Sequence, residues 1–134
     1  MGRLEDPGTA VTQGLGRVRF DDLRSTEVTE GIVRRVVPGA RATLVEVRIA
    51  AGAALPAHAH PHEQFTFVLS GEIQFRVGTD LKECSAVRAG ELFHVAGDVL
   101  HQSAALEDAV LVEIFAPARD DLAADARLLH PEAD

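Results

Sequence analysis

Three histidines stand on alternating positions in the stretch GAALPAHAHPHEQFTFVLSG, residues 52–71: His58, His60 and His62. Gln64 follows, and beyond it the chain turns almost wholly apolar. Neutral imidazole is the commonest metal ligand in proteins. Along an extended segment side chains alternate between faces, so His58 and His60 project the same way, about 6–7 Å apart. Small rotations bring two such rings onto one ion. Gln64 keeps that parity and offers an amide oxygen as a neutral donor. A fourth ligand has to come from a distant stretch, and His101 in AGDVLH is the candidate. On spacing alone, a metal site and a set of ordinary hydrogen-bonded or surface histidines weigh equally.

Two further histidines are candidates for proton transfer. His94, in ELFHVAGD, reads either as an acid or base at the pocket or as a hydrogen-bonded wall residue. His62 falls in the HPHEQ bend and reads as a rim residue beside the ligands. Glu63 reads as a partner for a ring or an arginine, and His130, in the polar C-terminal end, as bland.

The elements that must hold these residues are legible in the rest of the chain. Its 134 residues suit one domain, and 46% apolar content is enough to bury a core. Thirteen basic against twenty-one acidic residues leave a net charge of −8, which argues against nucleic acid or an anionic membrane as partner. No apolar run reaches membrane-span length and the N-terminal stretch has no signal-peptide core, so a soluble, cytoplasmic protein is expected. The single cysteine, Cys84, excludes an intrachain disulfide and reads as a small buried apolar residue. Residues 1–17 are expected to form a loose tail and residues 18–134 a single domain.

From Gly31 onward the chain reads as short strands broken by turns. GIVRRVV ends at Pro38-Gly39, a turn signal. In ATLVEVRIAAG, Val45, Val47 and Ile49 share one face, with Glu46 and Arg48 on the other. QFTFVLSG is apolar on both faces, as a strand covered on both sides would be. EIQFRV and LKECSAV make a hairpin about GTD. GELFHV, the segment from His101, and AVLVEIFAP follow. Only ARDDLAADARLL suits a helix, with Leu122, Ala126 and Leu129 on one stripe. Many short strands with glycine at the corners argue for an all-β sandwich or small barrel.

The histidine segment resembles the first motif of the cupins, G-x5-H-x-H-x3-[E/Q]-x6-G, with Gly52, His58, His60, Gln64 and Gly71 in register. The second cupin motif, G-x5-P-x-G-x2-H-x3-N, is matched at Gly90 and His101. Ala96, Asp98 and Ala105 stand in place of its proline, glycine and asparagine. The resemblance implies an all-β cupin fold, a double-stranded β-helix or jelly-roll barrel with a short C-terminal helix. It also implies one divalent ion held in the barrel mouth by His58, His60, Gln64 and His101. Many cupins place Glu where this chain has Gln64. Three imidazoles and an amide are all neutral, so the ion would keep its full charge and act as a stronger Lewis acid. Such nitrogen-rich ligands suit Zn, the favoured ion, and also Ni, Fe, Co or Mn.

Within the cupins, HAHPHEQFTFVLSGE and the exit ALEDAVLVEIFAPARDDL are similar to two groups of single-domain enzymes. One comprises the cyclases of bacterial aromatic polyketide pathways. The other comprises the pectin-degradation cupins that open unsaturated uronate rings. The Ala- and Arg-rich composition and the apolar strand favour the cyclases. That resemblance implies aldol-type closure of a poly-β-ketone, with metal-bound hydroxide, His94 or His62 as base. A wall of Thr66, Val68 and nearby Phe and Val would suit an apolar or aromatic small molecule. A metal-dependent oxygenase and a metal-free binding module are the rival readings. A homodimer through residues 20–37 is expected, since cupins commonly pair by exchanging terminal strands.

Overall fold

Ten strands carry almost all the regular structure in the computed structural model, which describes residues 16–125. They are β1 (Thr26–Thr29), β2 (Ile32–Pro38), β3 (Thr43–Ile49), β4 (Ala54–His58) and β5 (Glu63–Ser70), then β6 (Glu72–Val77), β7 (Glu83–Arg88), β8 (Leu92–Val95), β9 (His101–Ala105) and β10 (Ala109–Ala116). They form two antiparallel sheets, one in the order β1-β2-β3-β10-β5-β8 and the other β4-β9-β6-β7. This is the expected all-β jelly roll. The inner faces of the two sheets meet in a core built on Phe75, Ile73, Val36, Val45, Val68 and Ile32.

Alternation along β3 puts Val45, Val47 and Ile49 into that core, as their spacing requires. Glu46 lies on the opposite face, yet only 5% of it is exposed. Arg35 Nη1 donates to its Oε1 at 3.1 Å and Arg48 Nη2 to its Oε2 at 3.2 Å. Two guanidinium groups therefore replace the water that the carboxylate loses, as a buried charge demands. β6 and β7 pair as a hairpin from Glu72–Arg88 to Val77–Glu83, as the sequence predicts.

β5 departs from its expectation. Gln64, Thr66 and Val68 are buried, but Phe67 and Leu69 on the other face are 39% and 48% exposed. Within one chain the strand is covered on one side only. Its partners repeat the pattern: Phe67 faces Val112 of β10 and Leu92 of β8, and Phe65 faces Ile114 and His94. Phe75 and Phe115 are core residues, and Phe93 stacks on Phe75 at 4.4 Å.

Three smaller differences follow from local exposure. β1 was not expected, because its four residues TEVT are short and mostly exposed. Cys84 is exposed, contrary to its buried reading: it lies on the edge strand β7, of whose residues only Val87, of opposite parity, is buried. The C-terminal helical segment is a 3-10 turn over Asp120–Asp125 that buries Leu122. Ala126, Leu129 and His130 lie outside the described residues, as does the expected tail apart from Gly16 and Arg17. No helix among the described residues is long and apolar enough to cross a membrane.

Candidate metal centre

His58 ends β4 and His101 opens β9, and the two are direct cross-strand partners in the antiparallel ladder. Opposed residues share a face, so both rings enter the barrel together, with centroids 4.3 Å apart. His60 is not on a strand. It lies two residues past the end of β4, where the chain has begun to turn toward β5. Its ring still arrives at the same place, 5.4 Å from that of His58 and 4.9 Å from that of His101.

A clasp between the two motifs holds His60 there. The Asp98 N–H donates to the His60 carbonyl at 2.7 Å. Asp98 has φ 64, the left-handed conformation that glycine adopts freely and Asp tolerates. That is why Asp can occupy the glycine position of the second cupin motif. Gly97 beside it packs on Pro61, and a Cβ at Gly97 would lie 2.5 Å from the Pro61 carbonyl oxygen. Only glycine lets the two loops come this close.

Each ring is tied to a backbone carbonyl through Nδ1: His58 to Pro56 at 2.9 Å, His60 to His62 at 3.0 Å and His101 to Val99 at 2.8 Å. A carbonyl only accepts, so in each case Nδ1 carries the proton and Nε2 is left with a bare lone pair. The inward atoms are therefore acceptors throughout. Gln64 adds another, its Oε1 lying 3.2 Å from His60 Nε2. Two acceptors face each other there with no proton to share, an arrangement that asks for a cation between them. Nε2 of His101 is buried without a hydrogen-bond partner among the described residues.

The ligand-capable atoms of His58, His60 and His101 all lie within 4.8 Å of one another. Donors on opposite sides of one ion, each about 2.1 Å from it, stand about 4.2 Å apart, so the cluster has the right scale. Protonation is a poor substitute for a metal. Burial lowers the pKa of His60 and of His101 below the usual imidazole value, and the neighbouring histidine rings push the same way. Both rings are thus neutral at pH 7, the form that binds metal. The residues present fit a divalent ion.

The two histidines expected to move protons lie elsewhere. His94 is the cross-strand partner of Phe65, one position out of phase with Gln64 and Thr66, so it sits on the outer face of the sheet. Its Nε2 is 2.7 Å from Glu63 Oε2, its ring lies against Phe65, and it does not line the cavity. That placement gives no support to His94 as an acid or base there. His62 is half-buried beside His60 at 5.7 Å, with Nδ1 buried and unpartnered among the described residues, and it too is absent from the cavity wall.

The cavity in front of the cluster measures about 140 Å³ and opens between the sheets. Apolar side chains including Val45, Val47, Leu55, Phe115 and Leu122 form much of its wall, but Arg34, Glu113 and Arg119 also line it. Thr66 and Val68, expected as wall, are fully buried behind it. Gln64 Nε2 and Thr66 Oγ1 both donate to Glu113 Oε2, at 3.1 and 3.0 Å. Burial raises the Glu113 pKa to about 7, against the opposing effects of the Thr66 hydrogen bond and of Arg119 and Arg34. The Arg119 guanidinium lies 4.8 Å over the Phe115 ring and donates to both Asp121 oxygens.

The sequence reading missed these three charges, though two left a signal. Arg34 shares the parity of the buried Ile32 and Val36, and Glu113 that of Leu111 and Phe115. A charge at a core-parity position of a strand is a pointer to a cavity. Arg119 follows the end of β10, where periodicity says nothing.

The sequence matches the Cupin domain family over residues 45–115, and the chain belongs to the cupins. A comparison with curated proteins finds no match. Among solved structures it is similar to KdgF from Halomonas sp., with 28% identity and a TM-score of 0.70, covering 76% of this chain and 94% of that one. An RmlC-like cupin from Shewanella frigidimarina NCIMB 400 shares 24% identity at a TM-score of 0.72, covering 78% and 93%. A variant of the Bacillus subtilis oxalate decarboxylase shares 18% at 0.67, with 75% of this chain matching 29% of that one. The last two likenesses speak for the fold alone.

Proposed function

We propose that the chain is a metal-dependent enzyme acting on a small carboxylate-bearing sugar, an unsaturated uronate whose ring it opens to a linear carbonyl compound. The observation that carries this reading is the company the imidazoles keep: Arg34, Arg119 and Glu113 share one cavity of about 140 Å³ with them. Pockets for drug-sized ligands run to about 300–1,000 Å³, so this one suits a far smaller molecule than an extended poly-β-ketone. A guanidinium matches a carboxylate in shape and charge. The 28% identity with the KdgF structure supports the same choice.

A divalent ion at this site would supply Lewis acidity, steadying the negative charge on the enol oxygen released when the ring opens. His58, His60, Gln64 and His101 are the residues that would hold it. Arg119, fixed between Phe115 and Asp121, anchors the substrate carboxylate. Glu113, with its pKa near 7, can take up or give back a proton at a carboxylate oxygen at neutral pH. Val45, Val47, Leu55 and Leu122 keep bulk water from the reacting face.

The test is turnover of an unsaturated galacturonate by metal-loaded protein, followed by loss of its enol-ether absorbance. Activity is expected, and Arg119→Met should raise KM by about 10-fold or more, the loss of one charged hydrogen bond. Absence of turnover with metal bound overturns the uronate reading. The apolar part of the wall favours a second reading, aldol cyclisation of a poly-β-ketone, which ring closure of such a substrate would select. Uptake of O2 would select an oxygenase.

We also propose that a second copy of the chain covers the outer face of the six-stranded sheet. At about 4.8 Å per strand and 3.3 Å per residue, the face from β2 to β8 spans roughly 20 by 25 Å. That is on the scale of one side of a standard interface, about 800 Å² of accessible surface. It includes Val33 and Val37, inside the segment 20–37 expected to pair. Sedimentation at micromolar concentration tests it, and a monomeric mass would refute it.

A further inference from the structure

The Gln64 side chain is held from behind. Its Nε2 donates to Thr66 Oγ1 at 2.9 Å and to Glu113 Oε2 at 3.1 Å. The Thr66 hydroxyl donates to that same Glu113 oxygen at 3.0 Å. Gln64 is 3% exposed and Thr66 fully buried, and Glu113, half-buried, reaches them from the cavity wall.

An amide is a ligand with a wrong way round. Turned about its last bond, it presents NH2, which has no lone pair to offer a cation. Its shape does not select between the two orientations, but the groups behind it here do. Glu113 Oε2 accepts whether the carboxyl is ionised or carries a proton on its other oxygen. The Thr66 hydroxyl gives its only proton to Glu113, so toward Gln64 it can only accept. Two acceptors behind the nitrogen leave Oε1 facing the imidazoles, where it lies 3.2 Å from His60 Nε2.

We propose that Glu113 is the positioning residue for Gln64: through its own Oε2 and the Thr66 hydroxyl it fixes the amide with its oxygen toward the ion. The inference rests on the metal reading of the histidine cluster. The need for such a device arises from Gln64 itself. A glutamate at that position would present an oxygen in either orientation and require no support.

A double-mutant cycle tests the inference, with Co²⁺ alone as the probe and no turnover involved. Glu113→Gln places a donor as well as an acceptor behind Gln64, so the amide can turn. Co²⁺ binding should weaken about 10- to 100-fold, the range seen when a ligand loses its outer partner. The visible absorption of the saturated Co²⁺ complex should also change. In a Gln64→Glu background the same exchange should leave affinity unchanged or higher, since that ligand has no wrong face. Thr66→Val, which keeps Glu113 and removes only the relay hydroxyl, should weaken binding by a smaller factor and serves if Glu113→Gln does not fold. Unchanged Co²⁺ affinity and spectrum in Glu113→Gln would overturn the proposal. So would an equal loss in both backgrounds, which would mean that Glu113 acts through its charge alone. If the unsubstituted protein binds no Co²⁺, the metal reading falls and takes the proposal with it.

Discussion

One strand, β5, shows what its two sides are for. Toward the barrel it sends Gln64, Thr66 and Val68, all buried, and the first two are tied into a polar chain ending on Glu113. Away from the barrel it sends Phe65, Phe67 and Leu69, with His94 and Glu63 paired among them in the open. The inner side spends hydrogen bonds to fix the direction of lone pairs. The outer side fixes little and leaves apolar area exposed. A histidine inside is bound at Nδ1 to a carbonyl and presents Nε2 bare, whereas His94 outside gives its Nε2 to a carboxylate. The pairing of the second nitrogen, and not the presence of an imidazole, separates a ligand from a surface residue.

That contrast can be broken by mutation. The largest effect should come from His101→Ala or His58→Ala, each weakening metal binding by more than the roughly 100-fold ceiling for outer partners. Metal analysis of tag-free protein and calorimetric titration read it, and retained stoichiometric metal would remove these residues from the ligand set. Next is Gly97→Ala, whose Cβ would press on the Pro61 carbonyl at 2.5 Å. It should cost about 1–3 kcal/mol in denaturant unfolding, as overpacking does. A third change tests the outside: Phe67→Glu should shift a dimer to monomer while changing the stability of the isolated fold by no more than about 0.5 kcal/mol. An unchanged mass would put the partner elsewhere. The smallest effect is reserved for His94→Ala, which should leave metal affinity and turnover within error. A large loss of turnover there would reverse the division between inside and outside.

Much of this was legible beforehand. The alternation of Val45, Val47 and Ile49 and the hairpin about residues 78–80 follow from short-range rules of period and turn, while the grouping of His58, His60 and His101 was legible through the resemblance to the two cupin motifs. What stayed hidden depended on which neighbours cover a face. Period two shows that Phe67 and Gln64 face opposite ways, but not which side the other sheet occupies. His94 reads equally as a pocket or a wall residue from sequence, because one residue of phase separates it from the inward set. Arg34 and Glu113 lie at core-parity positions of strands that are otherwise largely apolar, and only the packed sheets show that those positions open onto a cavity. The direction of the Gln64 amide depends on a residue 49 positions away in sequence, beyond any local reading.

The clasp between Asp98 and the His60 carbonyl makes the two donor stretches one mechanical unit. Each of the three rings keeps its proton on Nδ1 and donates it to a backbone carbonyl, so the main chain itself sets the direction in which the Nε2 lone pairs point. Because a backbone hydrogen bond and not an ion joins the two stretches, chelation should strip a bound metal from a barrel that stays folded.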